Sequence, residues 1–190
     1  MDDMSDMKTP PQNIEAERAV LGSILLDTTG RDERVMDICQ SGGVVPETFY
    51  DPRNRTIYGE MQMMARLSKP LDALTLIEEL RVNGRLEAVG GVAYIQSLVD
   101  QTPTTAHAEY YISIITGKHL RRTMIDRATK TIEKCFDEGE YPDPQAVLGE
   151  AEKAFLEIGV RENGTMSWAN AIEQTVAADP KLADAFRTLA

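Results

Sequence analysis

"AHAEYYISIITGKHLRRTMIDRATKTIEKCFD", Ala106 to Asp137, is the stretch on which the fold turns. It holds no proline and a single glycine, Gly117. Tyr111, Ile114, Ile115, Ile125, Ala128, Ile132, Cys135 and Phe136 recur at three- and four-residue spacing, the period of an apolar helix face. The pattern predicts a helix of about 30 residues, against about 11–12 for an average one. "EGEYPDP", Glu138 to Pro144, breaks it. Asp143 is the expected cap of a new helix with Pro144 at its first position, where a missing N–H costs nothing. Val147, Leu148, Ala151, Ala154, Phe155 and Ile158 form the stripe of that helix. Two helices joined by a short turn predict an antiparallel hairpin. Such a hairpin has little core of its own, so its outer stripe is expected to bury itself against a second copy. The candidate subunit interface is Tyr111, Ile114, Ile115, Ile125, Ala128, Ile132, Phe136, Val147, Leu148, Ala151, Phe155 and Ile158.

Upstream, the segments are shorter but equally helical, and none alternates as a strand would. "PPQNIEAERAVLGSILLD" (Pro10 to Asp27) predicts a first helix capped by Asn13, with Val20, Leu21, Ile24 and Leu25 on one face. Gly22 in its middle costs about 1 kcal/mol against alanine, which a close helix–helix approach would offset. "RDERVMDICQ" (Arg31 to Gln40) predicts a second helix, stopped by Gly42-Gly43. A third is expected within Pro46 to Leu67, burying Ile57, Tyr58, Met61, Met64 and Ala65, so that "MQMM" (Met61 to Met64) serves as core filler. Thr75 and Glu78 suggest a capping box for a short helix ending at Gly84. Gly90-Gly91 opens another, "VAYIQSLVDQ". These helices make one bundle of ordinary domain size.

The chain has 190 residues, 31 acidic against 20 basic, and a formal net charge of -11. Phosphate backbones demand a positive surface, so bulk electrostatics exclude tight nucleic-acid binding. The one basic cluster, "KHLRR" (Lys118 to Arg122), is expected to be a solvated helix face or an inter-subunit salt-bridge patch, with a nucleic-acid contact as the alternative. Cys39 and Cys135 stand apart in no metal-like spacing, which reads as free, buried thiols in a reducing compartment. No apolar run approaches the roughly 20 residues of a membrane span. The acidic start "MDDMSDMK" has no secretory character. The expected location is the cytoplasm.

Catalytic motifs are missing. A phosphate-cradling loop needs G-x-x-x-x-G-K-[ST]. The single Gly117-Lys118 pair has Ile112 in place of the first glycine and His119 in place of Ser or Thr. No G-x-S-x-G, H-E-x-x-H or C-x-x-C occurs. Glu15, Glu17 and Glu78 sit at helix starts, where the helix dipole favours an acid without any catalytic role. No catalytic, cofactor or metal residue is assigned. Trp168 is a candidate docking anchor or local core residue.

Several stretches, in one order, resemble the N-terminal domain of the DnaB family of bacterial replicative DNA helicases. They are the "PPQNIEAERAVLGSILLD" lead, "ETFYDPRNRTIYGEM" (Glu47 to Met61), and "LDALTLIEELRVNGRLEAVGGVAYIQSLVDQTPTTAHAEYYISII" (Leu71 to Ile115). "RRTMIDRA" (Arg121 to Ala128) follows them. The resemblance implies an all-α fold, a compact bundle of short helices followed by a long helical hairpin. It implies homodimers through the hairpin, assembled as a trimer of dimers in a hexameric collar. It also implies docking of primase and, in some systems, of a helicase loader. ATP and Mg would belong to a motor domain whose motifs this chain lacks.

The expected organisation is a disordered tail over 1–9, a bundle over 10–105, a dimerising hairpin over 106–159 and a linker with helical pieces over 160–190. The expected function is a collar domain acting in assembly and in primase or loader docking, without a motor. A stand-alone phage- or plasmid-type regulator that mimics this domain is the alternative.

Overall fold

The structure, a computed structural model, describes residues 9–27, 34–102 and 104–162. The expected tail, the pieces beyond residue 162 and Trp168 lie outside the described residues. Among the described residues the fold is all-α: seven α-helices and a 3₁₀ turn. The chain divides into two compact units between Ile125 and Asp126.

In the first unit, α1 (Ile14–Leu26) starts at Asn13, whose side chain accepts the Ala16 N–H at 3.0 Å as expected. Then come α2 (Val35–Ser41), the 3₁₀ turn Pro46–Thr48, α3 (Pro52–Arg66), α4 (Ala73–Val82) and α5 (Gly91–Asp100). The core is aliphatic, as an aromatic-poor composition requires: Val20, Leu21 and Ile24 meet Ile57, Met61, Leu76, Leu80, Ile95 and Leu98. Its aromatic pair is Phe49 against Tyr58, ring centroids 4.8 Å apart, with the Tyr58 hydroxyl donating to the Val44 carbonyl at 3.1 Å. Met61 and Met64 are core, while Met63 of the same run is exposed.

Gly22 is where α1 meets the end of α5. A Cβ there would lie 2.1 Å from Thr102 Oγ1 and 2.3 Å from the Leu98 carbonyl oxygen. The close approach expected from the sequence is real, and its partners are the Thr102 side chain and the Leu98 backbone carbonyl.

α4 corrects its expected cap. It begins at Ala73, and Asp72 accepts the Thr75 N–H at 2.9 Å and the Thr75 hydroxyl at 2.8 Å. Thr75 is a donor inside the first turn, and Glu78 pairs with Arg81 on the surface. Asp outcompetes Thr because its charged oxygens also meet the positive end of the helix. The stop at Gly84 holds: φ is +66°, its N–H donates to the Arg81 carbonyl at 3.0 Å, and the Arg85 N–H to Leu80 at 2.8 Å. This paired closure needs a left-handed residue.

α6 (Ala108–Phe136) is the expected long helix, but the division into units falls within it, about twenty residues beyond the change in sequence character at Pro103. Its first turns belong to the bundle core through Ala108, Ile112 and Ile115.

The second unit holds the distal part of α6 and α7 (Pro144–Glu162), which runs past the expected end of the hairpin at residue 159. Asp143 accepts the Gln145 N–H at 2.9 Å, the expected cap. Lys134 pairs with Glu150 across the hairpin, and its ammonium lies 5.1 Å from the Tyr141 ring centroid. Val147 is buried, with Ala151, Ala154 and Ile158 partly buried. No helix among the described residues is long and apolar enough to cross a membrane.

Candidate functional site

Two features stand out, one in each unit. The first is the segment Glu47 to Asp51, which runs from the 3₁₀ turn into α3. Its Thr48 and Phe49 N–H groups donate to the Val45 and Pro46 carbonyls at 2.9 and 3.1 Å, and side chains hold the carbonyls of Glu47, Thr48 and Phe49 and the amides of Tyr50 and Asp51. Arg122 Nη2 donates to the Thr48 carbonyl at 2.7 Å and to that of Glu47 at 3.4 Å. Arg55 Nη2 donates to the Phe49 carbonyl at 3.1 Å. On the amide side, Glu17 Oε1 accepts the Tyr50 N–H at 2.7 Å and Oε2 accepts that of Asp51 at 3.2 Å.

Glu17 is a buried carboxylate, 1% exposed. Asn54 Nδ2 donates to it at 3.0 Å, and Asn54 Oδ1 accepts from the Tyr94 hydroxyl at 2.7 Å. Arg53 and Arg18 lie 4.4 and 5.4 Å from the Tyr94 ring centroid. Burial of such a charge is tolerable because its oxygens are hydrogen-bonded. The helix-start role expected of Glu17 is therefore secondary: it sits in the first turn of α1, but its oxygens serve the entry to α3.

Arg122 also donates from Nη1 to the Pro11 carbonyl at 2.9 Å, just before α1. The expectation that "KHLRR" is solvated or meets another subunit is corrected at this residue. Arg122 turns inward, since three carbonyls within one chain match its fork of donors. Burial lowers its pKa, with Glu17 opposing. His119, one turn earlier, is half-buried. Desolvation first, then Arg122, pushes its pKa below the ordinary histidine range.

The second feature is the hairpin surface of the second unit. Phe136 is 86% exposed, Ile132 52%, Leu148 52% and Phe155 41%. Leu148 and Phe155 are seven residues apart, the spacing of a coiled-coil seam. A groove of about 600 Å³ runs between the two helices, lined by Arg127, Lys130, Lys134, Tyr141, Val147 and Glu157 among others.

The expected interface residues thus divide. Ile115 is 1% exposed inside the bundle, and Tyr111 and Ile114 pack against the same core. These three have an intrachain partner that periodicity alone could not reveal, because α6 presents one continuous stripe to two environments. Ile125 is exposed at the end of the first unit. In the second unit Val147 is buried and Ala128, Ala151 and Ile158 are partly covered, leaving Ile132, Phe136, Leu148 and Phe155 outward. Cys39 is buried, its thiol pushed up to about 12 by desolvation. Cys135 is exposed among the described residues, contrary to expectation. Among the described residues no three His, Cys, Asp or Glu converge as a metal site.

A family model described as the DnaB-like helicase N-terminal domain matches residues 9–117, the bundle and the first turns of α6. The chain belongs to that family. The replicative DNA helicase DnaC of Bacillus subtilis is 35% identical over 164 residues, covering 86% of this chain and 34% of the relative. The replicative DNA helicase DnaB of Geobacillus stearothermophilus is 32% identical over 163 residues, again 86% of this chain and 34% of the relative. The chain spans about a third of the length of these relatives. The crystal structure of the N-terminal domain of DnaB helicase from Mycobacterium tuberculosis matches with a TM-score of 0.70 and 30% identity, over 78% of this chain and 99% of that one. A solved structure of a DnaB-like replicative helicase, described together with its interactions with primase, shares the fold. There the TM-score is 0.61 and the identity 23%, over 88% of this chain and 36% of the other.

Proposed function

We propose that this chain acts as the N-terminal collar domain of a replicative DNA helicase, associating with copies of itself through the hairpin and offering a docking surface to primase. The observation that carries the reading is the outward set Ile132, Phe136, Leu148 and Phe155 in the second unit. Four large apolar side chains on a two-helix unit are more than single scattered surface residues, and a partner helix pair would remove them from water. Family membership supports the helicase setting. The fold shared with a helicase described with its interactions with primase supports that partner. A loader, a trimer-of-dimers arrangement and a cytoplasmic location belong to the same reading. ATP, Mg and the motor would lie on sequence outside this chain, and the net charge of -11 argues against tight DNA binding by it.

The test is native mass across concentration, with and without the primase of the same source. A dimer or a multiple of it, and a further complex with primase, are expected. A monomer at all concentrations to about 100 μM would overturn the self-association reading, and no shift on adding primase would overturn the docking reading.

A further inference from the structure

Among the described residues one ion pair crosses the hairpin of the second unit, Lys134 with Glu150, close to the turn. Arg127 stands seven residues before Lys134, and Glu157 seven residues after Glu150. On antiparallel helices both steps lead away from the turn. Seven residues are close to two helical turns, about 10.5 Å along the axis, so each residue keeps nearly the face of its counterpart. Arg127 and Glu157 line the same groove between α6 and α7 as Lys134 and Glu150. Arg127 Nε is buried and has no hydrogen-bond partner among the described residues. A buried donor on a charged group is costly to leave unpaired, and a carboxylate stands across the groove from it.

The neighbouring charges favour this partner. Lys130 is held on α6 itself, by Asp126 at 2.9 Å. Lys153, one turn before Glu157, offers it the weaker order of an i,i+4 pair, with the cation N-terminal to the acid. A slip of α7 by four residues in one direction would set Lys153 against Arg127, cation to cation. One rung near the turn leaves the far ends free to splay. A second rung two turns away fixes register as well as spacing, as heptad-spaced charges do between paired helices.

We propose that Arg127 and Glu157 form a second ionic rung, which closes the groove of about 600 Å³ between α6 and α7 and locks the register of the hairpin. Both residues lie in the second unit, and the rung needs no second copy of the chain.

The experiment is a double-mutant cycle in the full chain, with Arg127→Met, Glu157→Gln and the two together, read by amide exchange over residues 127–134 and 150–157. The proton on Arg127 Nε is followed by NMR in the parent and in Glu157→Gln. We expect each single variant to speed amide exchange about three- to tenfold, and the double variant to go no further than the faster single one. Solvent exchange of the Arg127 Nε proton should rise about threefold or more in Glu157→Gln, a response that packing alone would not give. The cycle is repeated in an Ile132→Asp, Phe155→Asp background, which places charge on the outward apolar set, and the same coupling is expected there. If Arg127→Met does not fold, Arg127→Lys takes its place in the cycle, because it keeps the cation and removes the Nε donor. Single effects that multiply in the double variant overturn the rung, as does an Arg127 Nε proton indifferent to Glu157→Gln. A coupling that disappears in the Ile132→Asp, Phe155→Asp background also overturns it, since the carboxylate facing Arg127 would then belong to another copy.

Discussion

Glu17 and Arg122 hold one short segment from opposite sides. The carboxylate accepts the Tyr50 and Asp51 amides at 2.7 and 3.2 Å, and the guanidinium donates to the Thr48 carbonyl at 2.7 Å. Neither residue makes its contact within its own helix. Through that segment α1, α3 and α6 are connected by polar groups beside the buried Phe49.

Replacing Glu17 should therefore be costly. Glu17→Gln preserves shape but turns one acceptor into a donor that faces the Tyr50 N–H or Asn54 Nδ2. An unsatisfied buried donor costs about 1–3 kcal/mol, more when a charged bond is lost. We expect about 2–3 kcal/mol less stability in urea, and under about 0.5 kcal/mol for Glu15→Gln, which is exposed in the same turn. Equal effects from the two would mean that the helix dipole, not the buried network, governs both.

Two glycines on helices should respond with opposite signs. Gly22→Ala places a methyl 2.3 Å from the Leu98 carbonyl, and backbone cannot step aside cheaply. Overpacking of about 1–3 kcal/mol outweighs the ~1 kcal/mol gain in helix propensity. A Cβ at Gly117 meets nothing within 4 Å, so Gly117→Ala should stabilise by up to about 1 kcal/mol. Thermal melts of the two variants decide it, and a stabilised Gly22→Ala would refute the close packing of α1 on α5.

The cap of α4 separates the two residues that its sequence confuses. Asp72→Ala removes the acceptor of the Thr75 N–H and hydroxyl and should cost about 1–2 kcal/mol. Glu78→Ala breaks an exposed pair with Arg81 and should cost under about 0.5 kcal/mol. Chemical denaturation with the reverse ranking would restore the capping box.

His119 sets a pH dependence. Desolvation by burial, then the nearby Arg122 and Arg55, disfavour its charged form, while Glu47 opposes them. The folded pKa lies below the unfolded value near ~6.5, so the unfolded chain binds the proton first. The stability contribution is complete above about pH 6.5 and is lost as pH falls through the lowered folded value. Between pH 7.5 and 5.5 the parent should lose more melting temperature than His119→Gln. Parallel curves would remove His119 from the acid response.

Local signals carried much of the fold into view: the Asn13 and Asp143 caps, the stop at Gly84, the long break-free helix and the close approach at Gly22. Each is a short-range rule with one dominant physical cause. What stayed hidden depends on contacts distant in sequence. Nothing near Glu17 in the chain announces that its oxygens meet residues 50, 51 and 54, and nothing near Arg122 announces carbonyls at 11 and 48. The stripe of α6 was legible as apolar, yet its period cannot say that Ile115 faces the bundle core while Ile132 faces outward. That division depends on where the bundle ends, which is a tertiary fact.

The hairpin face yields the most direct test. Ile132 and Phe155 are about half-exposed within the second unit, so an aspartate at either position meets water in the lone chain and should change its own stability by under about 0.5 kcal/mol. In an associated state the same carboxylate would be desolvated without a partner, at a cost of several kcal/mol. Ile132→Asp with Phe155→Asp should therefore give monomer by light scattering at concentrations where the parent associates, with an unchanged circular-dichroism spectrum. Val147→Asp is the contrasting variant: that side chain is buried inside the hairpin, so its substitution should lower the melting temperature rather than act on mass alone. An Ile132→Asp, Phe155→Asp chain with the parent's mass would move the self-association face elsewhere on the molecule.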